Sequence, residues 1–296
     1  VNCRICRTRI DPILEDVGTH PYCEPIVRAR ADKGEQIELK FASDPEEDPL
    51  AAELKQSLIK IIKFKDSINP RSLQSNIGPS ELSSPCDRRV GYRLAQVPPV
   101  NNTLDPWPAI VGTAIHDWLE HAVKTWNLNN KLPDGSYEWI TETRLDFSEF
   151  VTGRSDLLNV RTGTVVDYKG VSPDKMRTIK RDGSPANYRK QIQIYGWGYE
   201  RLGYAVKKVA LAYVPRAGNI KDMHVEVFDY DPSVGPLAVS RVPLVATRLV
   251  ELDIFDNPHR WEQVSAVPSH DCGFCPWYSS RRTPELGASN LGCPGK

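Results

Sequence analysis

Apolar and polar positions alternate along this chain with two periods, and the periods divide it into elements. LKQSLIKIIKF (54–64) repeats apolar residues at helical spacing. INPRSLQSNIGPSELSSPCDRRVGYRL reads as a loop followed by a short helix entered near Pro85. VGTAIHDWLEHAVKTW (111–126) predicts a helix with Ile115, Trp118, Leu119, Ala122, Val123 and Trp126 as its apolar positions. Three runs with strand character follow: YEWITETRLDF (137–147), TGRSDLLNV (152–160) and GTVVDYKG (163–170). Arg161-Thr162-Gly163 joins the last two as a hairpin-type turn. YRKQIQIYGWGYERLGY (188–204) predicts an amphipathic helix, VKKVALAYVPR (206–216) a buried strand and MHVEVFDYD (223–231) an alternating one. LAVSRVPLVATRLVELDIF (237–255) keeps helical spacing through Pro243, and the tail from Pro268 reads as coil. Helix, three strands, helix, strand predicts a mixed sheet flanked by helices, of α/β or α+β class.

Composition narrows the classes. The chain has 296 residues, with 38 Lys plus Arg against 38 Asp plus Glu and 40% hydrophobic residues. That is a soluble globular balance of one to two domains, and the net charge of zero advertises neither nucleic acid nor membrane. The longest apolar run, Val209 to Val214, falls far short of the roughly 18–20 residues that span a bilayer. VNCRICRTRI at the start has no signal-peptide character, so a reducing cytosolic setting is the expectation. There, seven cysteines read as metal ligands or redox groups rather than disulfides.

The cysteines also mark the boundaries. Cys3-Arg-Ile-Cys6 and His20-Pro-Tyr-Cys23 form C-x2-C-x13-H-x2-C, the two-pair spacing of a structural zinc site. Residues 1–31 are therefore read as a zinc-finger-like module whose stability comes from its metal. Its charges nearly cancel, and DNA and protein both remain open as its partner. Residues 32–56 hold eight acids and three bases, net −5, and read as an acidic linker. The main domain is expected over 57–296. Cys86, Cys272, Cys275 and Cys293 bracket it and can give four thiolates to one centre, zinc or iron–sulfur.

The chemistry concentrates in GRSD and VDYK. Asp156 and Asp167 fall on adjacent strands of a hairpin, and Lys169 shares a strand face with Asp167. Two carboxylates suit Mg2+ or Mn2+, and a lysine beside them can orient water or stabilise charge. The same residues also read as ordinary charges on a surface hairpin. His116 on the 111–126 helix, with Glu120 four residues on, offers a third ligand or a packed imidazole. Gln191 and Tyr195 are spaced i, i+4 and face either a substrate or solvent. Residues 171–216 carry ten bases and three acids, net +7. KMRTIKRDGSPANYRK within them reads as a mobile loop, its charges facing phosphates or solvent. Tyr188 and Trp197 are candidates to stack on bases. P-loop, nucleophile-elbow and HExxH motifs are absent, which removes ATP-motor, serine-hydrolase and zincin readings.

GTAIH, GRSD, VDYK and QIQIY, in that order from about residue 80 onward, resemble the motifs of RecB-like PD-(D/E)XK nucleases. Ser155 precedes Asp156 where the superfamily's name has proline. The resemblance implies a restriction-endonuclease-like mixed sheet with helices on it. It implies His116, Asp156, Asp167 and the Tyr168 carbonyl as ligands of Mg2+ or Mn2+, Lys169 as the catalytic lysine, and Gln191 and Tyr195 as substrate-side or supporting residues. The one-plus-three cysteines and PCDRRVGYR resemble the iron–sulfur branch, with AddB-type and CRISPR-associated exonucleases. That implies a structural [4Fe–4S] cluster on Cys86, Cys272, Cys275 and Cys293, with Zn2+ as the alternative. The activity implied is exonuclease action on single-stranded DNA or DNA ends with a 5′ to 3′ lean, in repair, recombination or phage DNA processing. The compartment implied is the cytoplasm of a bacterial cell or phage-infected host. Lys175, Arg177, Lys180, Arg181, Tyr188, Arg189 and Lys190 are the expected DNA contacts. The rival reading is a non-catalytic DNA-binding or scaffold subunit, and a third is a redox or zinc sensor with exposed, reactive cysteines.

Overall fold

The structure is a computed structural model that describes residues 49–68, 76–101, 104–268, 270–279 and 292–295. The N-terminal module with Cys3, Cys6, His20 and Cys23 lies outside the described residues, as does the linker up to residue 48. The chain divides into two units, residues 1–62 and 63–296. The described part of the first is the start of helix α1 (Pro49–Ser67). The stretch 49–56, expected as linker, is thus helical. Proline fits the first turn, where its missing N–H costs nothing, and Ala51, Ala52 and Glu53 are strong helix formers.

The second unit is built on a sheet of five strands in the order β1-β2-β3-β4-β5: β1 (Trp139–Asp146), β2 (Thr152–Asn159), β3 (Thr164–Val171), β4 (Lys208–Pro215) and β5 (His224–Asp229). β1–β2, β2–β3 and β4–β5 are antiparallel, and β3–β4 is parallel. The parallel pair requires a crossover, supplied by α5 (Pro173–Asp182) and α6 (Ala186–Arg201). The remaining helices are α2 (Pro79–Leu82), α3 (Asp87–Leu94), α4 (Trp107–Asn129) and α7 (Val234–Glu251). A mixed sheet flanked by helices is what the order of elements predicts.

The core forms where α6 meets the sheet. Ile192, Ile194 and Tyr199 of α6 are buried with Leu145, Val165 and Leu211 of the strands. β4 is buried along nearly its whole length, as its unbroken apolar run requires, whereas β5 alternates. α7 runs through Pro243, as its spacing predicts.

One segment departs from expectation. Residues 175–190 are two helices joined by a tight turn, not a mobile loop. The Ser172 hydroxyl caps α5 by accepting from the Lys175 N–H at 3.3 Å, and Met176 and Ile179 anchor one face in the core. Gly183 ends α5 at φ 79°, a conformation that glycine adopts without strain. The density of bases masked this two-residue apolar anchor.

Candidate active site

The site begins at a break in the hydrogen-bond ladders. β1 and β2 pair on either side of Glu142, through Thr141↔Leu157 and Thr143↔Ser155. By that register Glu142 stands opposite Asp156. Glu142 has φ 51°, left-handed backbone that is rare for a residue with a Cβ. The β2–β3 ladder ends at Leu157↔Val166, so Asp156 also stands opposite Asp167, one position further. Three acids from three strands thus share a row where the pairing is interrupted.

The interruption frees the Tyr168 N–H, and Asp156 takes it. The amide donates to Asp156 Oδ2 at 2.6 Å, while Asp156 Oδ1 lies 3.0 Å from His116 Nδ1. Asp156 is only 7% exposed, so these contacts fix its carboxylate in place. His116 reaches it because α4 lies close on β3. A Cβ at Gly170 would stand 3.0 Å from Ile115 Cδ1, one residue from His116, and glycine gives that room. Burial alone would lower the His116 pKa, but the hydrogen bond and charge of Asp156, with Asp167 behind it, outweigh burial and raise it.

Asp167 is 3% exposed and has a different partner. Its Oδ2 lies 2.6 Å from Lys169 Nζ, the neighbour two residues on along β3. Burial pushes the Asp167 carboxyl upward and the lysine pulls it back down. Burial would lower the Lys169 pKa, but the Asp167 charge raises it, so the ammonium persists. Lys169 Nζ also donates to Gln191 Oε1 at 3.1 Å and stands 5.1 Å over the Tyr188 ring. Tyr195, one turn beyond Gln191, is buried in the core with its ring 3.2 Å from the place of a Cβ on Gly153.

Among the described residues, His116, Glu142 and Asp156 are the one group whose ligand atoms lie within 4.8 Å of one another. Glu142 was missed in the sequence. Burial and the nearby Asp156 and Glu120 charges hold its carboxyl up at about 7, against the pull of Arg154 3.7 Å away. Asp167, expected in the ligand set, is outside this group and is paired with Lys169. Glu120 is paired with Lys124.

The basic residues are partly spoken for. Arg177 pairs with Asp174, Arg181 holds Asp182 through Nε and Nη2 at 2.7 Å each, and Lys180 donates to the Asp222 carbonyl at 3.2 Å. Lys175 is half-buried and Arg189 exposed. Burial, with Arg241 nearby, lowers the Lys190 pKa. Trp197 stacks on Phe147, ring centroids 5.8 Å apart, so it packs rather than faces solvent.

Cys86, Cys272, Cys275 and Cys293 line one pocket with about 450 Å3 of space not filled by atoms, part of it open to solvent. Cys86 is the N-cap of α3. The tail is not plain coil: His270–Phe274 form a 3-10 turn. Tyr278 pairs with Cys293 in an isolated bridge, with the Cys293 N–H donating to the Trp277 carbonyl at 2.6 Å. That bridge brings Cys293 back across the seventeen-residue gap after Cys275. No three of the four sulfurs lie within 4.8 Å of one another.

No known protein family matches the chain, and no curated protein does. Among solved structures, a protein designated SSO0001 is 18% identical, with 76% of this chain and 94% of that one covered and a TM-score of 0.41. An alkaline exonuclease (LHK-Exo) from Laribacter hongkongensis is 12% identical over 64% of this chain and 95% of that one, also with a TM-score of 0.41. A phage-related exonuclease from Haemophilus somnus 129PT is 14% identical over 53% and 76%, with a TM-score of 0.34. At these scores the likeness is loose. Among the described residues, no helix is long and apolar enough to cross a membrane.

Proposed function

We propose that this chain is a divalent-metal-dependent DNA nuclease, an exonuclease on single strands or DNA ends with a 5′ to 3′ lean. One observation carries the reading: Glu142, Asp156 and Asp167 share a row, with His116 on one side and a charged, half-buried Lys169 on the other. A structural ion pair needs one acid and one base. Three acids, a histidine and a lysine gathered at a broken ladder outnumber that need.

His116, Glu142 and Asp156 would hold Mg2+ or Mn2+, with Asp167 and the Tyr168 carbonyl on its other side. The donor set is hard oxygen plus one imidazole, which suits these ions. In an extended strand the N–H and C=O of one residue point the same way, so the Tyr168 carbonyl faces the gap that its amide faces. The ion, when bound, supplies a polarised phosphate and a water of lowered pKa. The chain's own residues do the rest. Asp156, held by the Tyr168 amide, fixes the geometry. Lys169, protonated and aimed by Gln191 and Asp167, meets the charge that develops on the phosphate. Tyr188, partly buried against the core under Lys169, would stack on a base beside the scissile bond. Lys175, Arg177, Lys180, Arg181, Arg189 and Lys190 would hold phosphates further along the strand.

The cysteine pocket would hold a [4Fe–4S] cluster in a structural role. Four soft thiols lining one pocket support such a cluster. The cluster would tie α3 to the C-terminal segment. Zinc is reserved for the N-terminal module, a candidate surface for DNA or a protein partner.

The test is cleavage of end-labelled single- and double-stranded DNA by the full chain with Mn2+, Mg2+ or EDTA, beside Lys169→Ala. Metal-dependent trimming that falls by about 10²–10³ in the variant is expected. A folded, metal-loaded wild type that binds DNA without cutting overturns the enzyme in favour of a binding subunit. Lys169→Ala cutting at the wild-type rate overturns the site.

A further inference from the structure

The cysteine pocket carries a charge pattern that its ligands do not explain. Arg88, two residues past Cys86 in the first turn of α3, is 5% exposed. Its Nε and Nη2 donate to the Val264 carbonyl at 3.1 and 3.0 Å, and Nη2 also donates to the Glu262 carbonyl at 3.1 Å. Its Nη1 points at Cys293 Sγ, 3.7 Å away. Among the described residues, no carboxylate forms an ion pair with it. Arg89 lines the same pocket, and its buried Nε has no hydrogen-bond partner among the described protein atoms. Two guanidinium groups therefore flank four thiols, and among the described residues no carboxylate is ion-paired with either.

A buried cation without a counter-ion costs several kcal/mol, and evolved interiors pair such charges. The anion available here is the thiolate set. Charge balance is reached once a cluster fixes all four as thiolates, which outnumber the charge of an oxidised cubane by two.

We propose that Arg88 and Arg89 are the built-in counter-charge of an anionic cluster in this pocket and hold its reduction potential high. This rests on the iron–sulfur reading above. Reduction adds one electron to a group that is already negative, and a nearby fixed positive charge favours that product. The N–H donated to the Cys293 sulfur acts in the same direction. Both arginines are positioning residues, since the thiolates would bind the iron. The electron donor is any one-electron reductant of low potential; dithionite serves in vitro.

The experiment uses the full chain, reconstituted anaerobically with iron and sulfide. Iron content and visible absorbance report the cluster, and a dithionite titration with mediators reports its midpoint. Arg88→Gln is expected to keep iron and colour. At the wild-type midpoint its reduced-to-oxidised ratio should fall at least tenfold, equivalent to 59 mV for one electron. Arg88→Lys should stay within about threefold of wild type, and Arg89→Gln should shift the same way by less. Iron-loaded Arg88→Gln with the wild-type midpoint overturns the proposal. If Arg88→Gln does not hold the cluster, Arg89→Gln decides: a midpoint equal to wild type overturns it. A wild type that takes up zinc and stays colourless fails at the earlier step, the cluster itself, and is told apart by its metal content.

Discussion

Lys169→Ala separates the electrostatics of the site from its catalysis. In the wild type, Asp167 Oδ2 is buried without a regular hydrogen bond, and the Lys169 ammonium 2.6 Å away balances its charge. The side chains are 4% and 17% exposed, so water screens the pair little. Removing the lysine leaves a buried carboxylate facing Asp156. Breaking such a pair costs about 3–5 kcal/mol, and the partial exposure of the lysine puts this one near 3. For a unit of this size that lowers Tm by about 6–12 °C. The loss depends on pH with a definite sign. Burial already raises the Asp167 carboxyl, and without Lys169 it rises further. A carboxyl whose folded pKa exceeds its unfolded value of about 3.9 loses stability as pH rises through that window. The deficit should be small near pH 4 and full by pH 8. Urea denaturation of both proteins in EDTA at the two pH values, followed through tryptophan fluorescence, reads it directly. A deficit under about 1 kcal/mol at pH 8, or one equal at both values, refutes Lys169 as the counter-charge of Asp167. Saturating Mn2+ should shrink the deficit, because a cation at the row replaces the lost charge.

Three further outcomes follow from the same geometry. Glu142→Gln should weaken Mn2+ binding by about tenfold or more, measured by calorimetry without DNA; unchanged affinity would remove Glu142 from the ligand set. Mn2+ affinity should rise roughly tenfold from pH 6 to pH 8, because Glu142, held at about 7, and the raised His116 must shed protons to bind, and a flat profile would contradict this. Gly153→Ala should destabilise by about 1–3 kcal/mol in thermal melts, because its Cβ would stand 2.7 Å from Pro79 Cδ; a wild-type Tm would show that α2 gives way.

Much of this was legible because it is local. A hairpin with a short turn fixes its own register, so the approach of Asp156 and Asp167 follows from their distance to Arg161-Thr162-Gly163. Lys169 follows from the two-residue period of a strand. His116 and Gln191 needed only their helices to lie against the sheet, which both do at β1 and β3. Tyr195 shows where spacing stops informing. It shares a helix face with Gln191, but one turn further along that face meets the core. The basic count over 171–216 misled differently. Asp174 and Asp182 lie within reach of the arginines that inflate the sum, and two apolar residues were enough to fold the supposed loop.

Glu142 was hidden for a physical reason that bears on the site. In TETR it is one polar residue of an alternating strand, and its role comes from what β1 does at that point. A residue in regular pairing would exchange backbone hydrogen bonds with Asp156 and turn its side chain by the strand's period. Glu142 instead takes a left-handed conformation, and the pairing on both sides of β2 lapses at the same row. The lapse costs ladder hydrogen bonds, and Asp156 restores one by accepting from the Tyr168 amide. What remains is a lapse in the pairing lined by three carboxylates, an imidazole and an ammonium. Strain of this kind persists where the surroundings over-determine it. A divalent cation is the one ligand class that would satisfy the carboxylates, the imidazole and the backbone carbonyl together, so the strain and the acids have a common explanation that a structural hairpin does not offer.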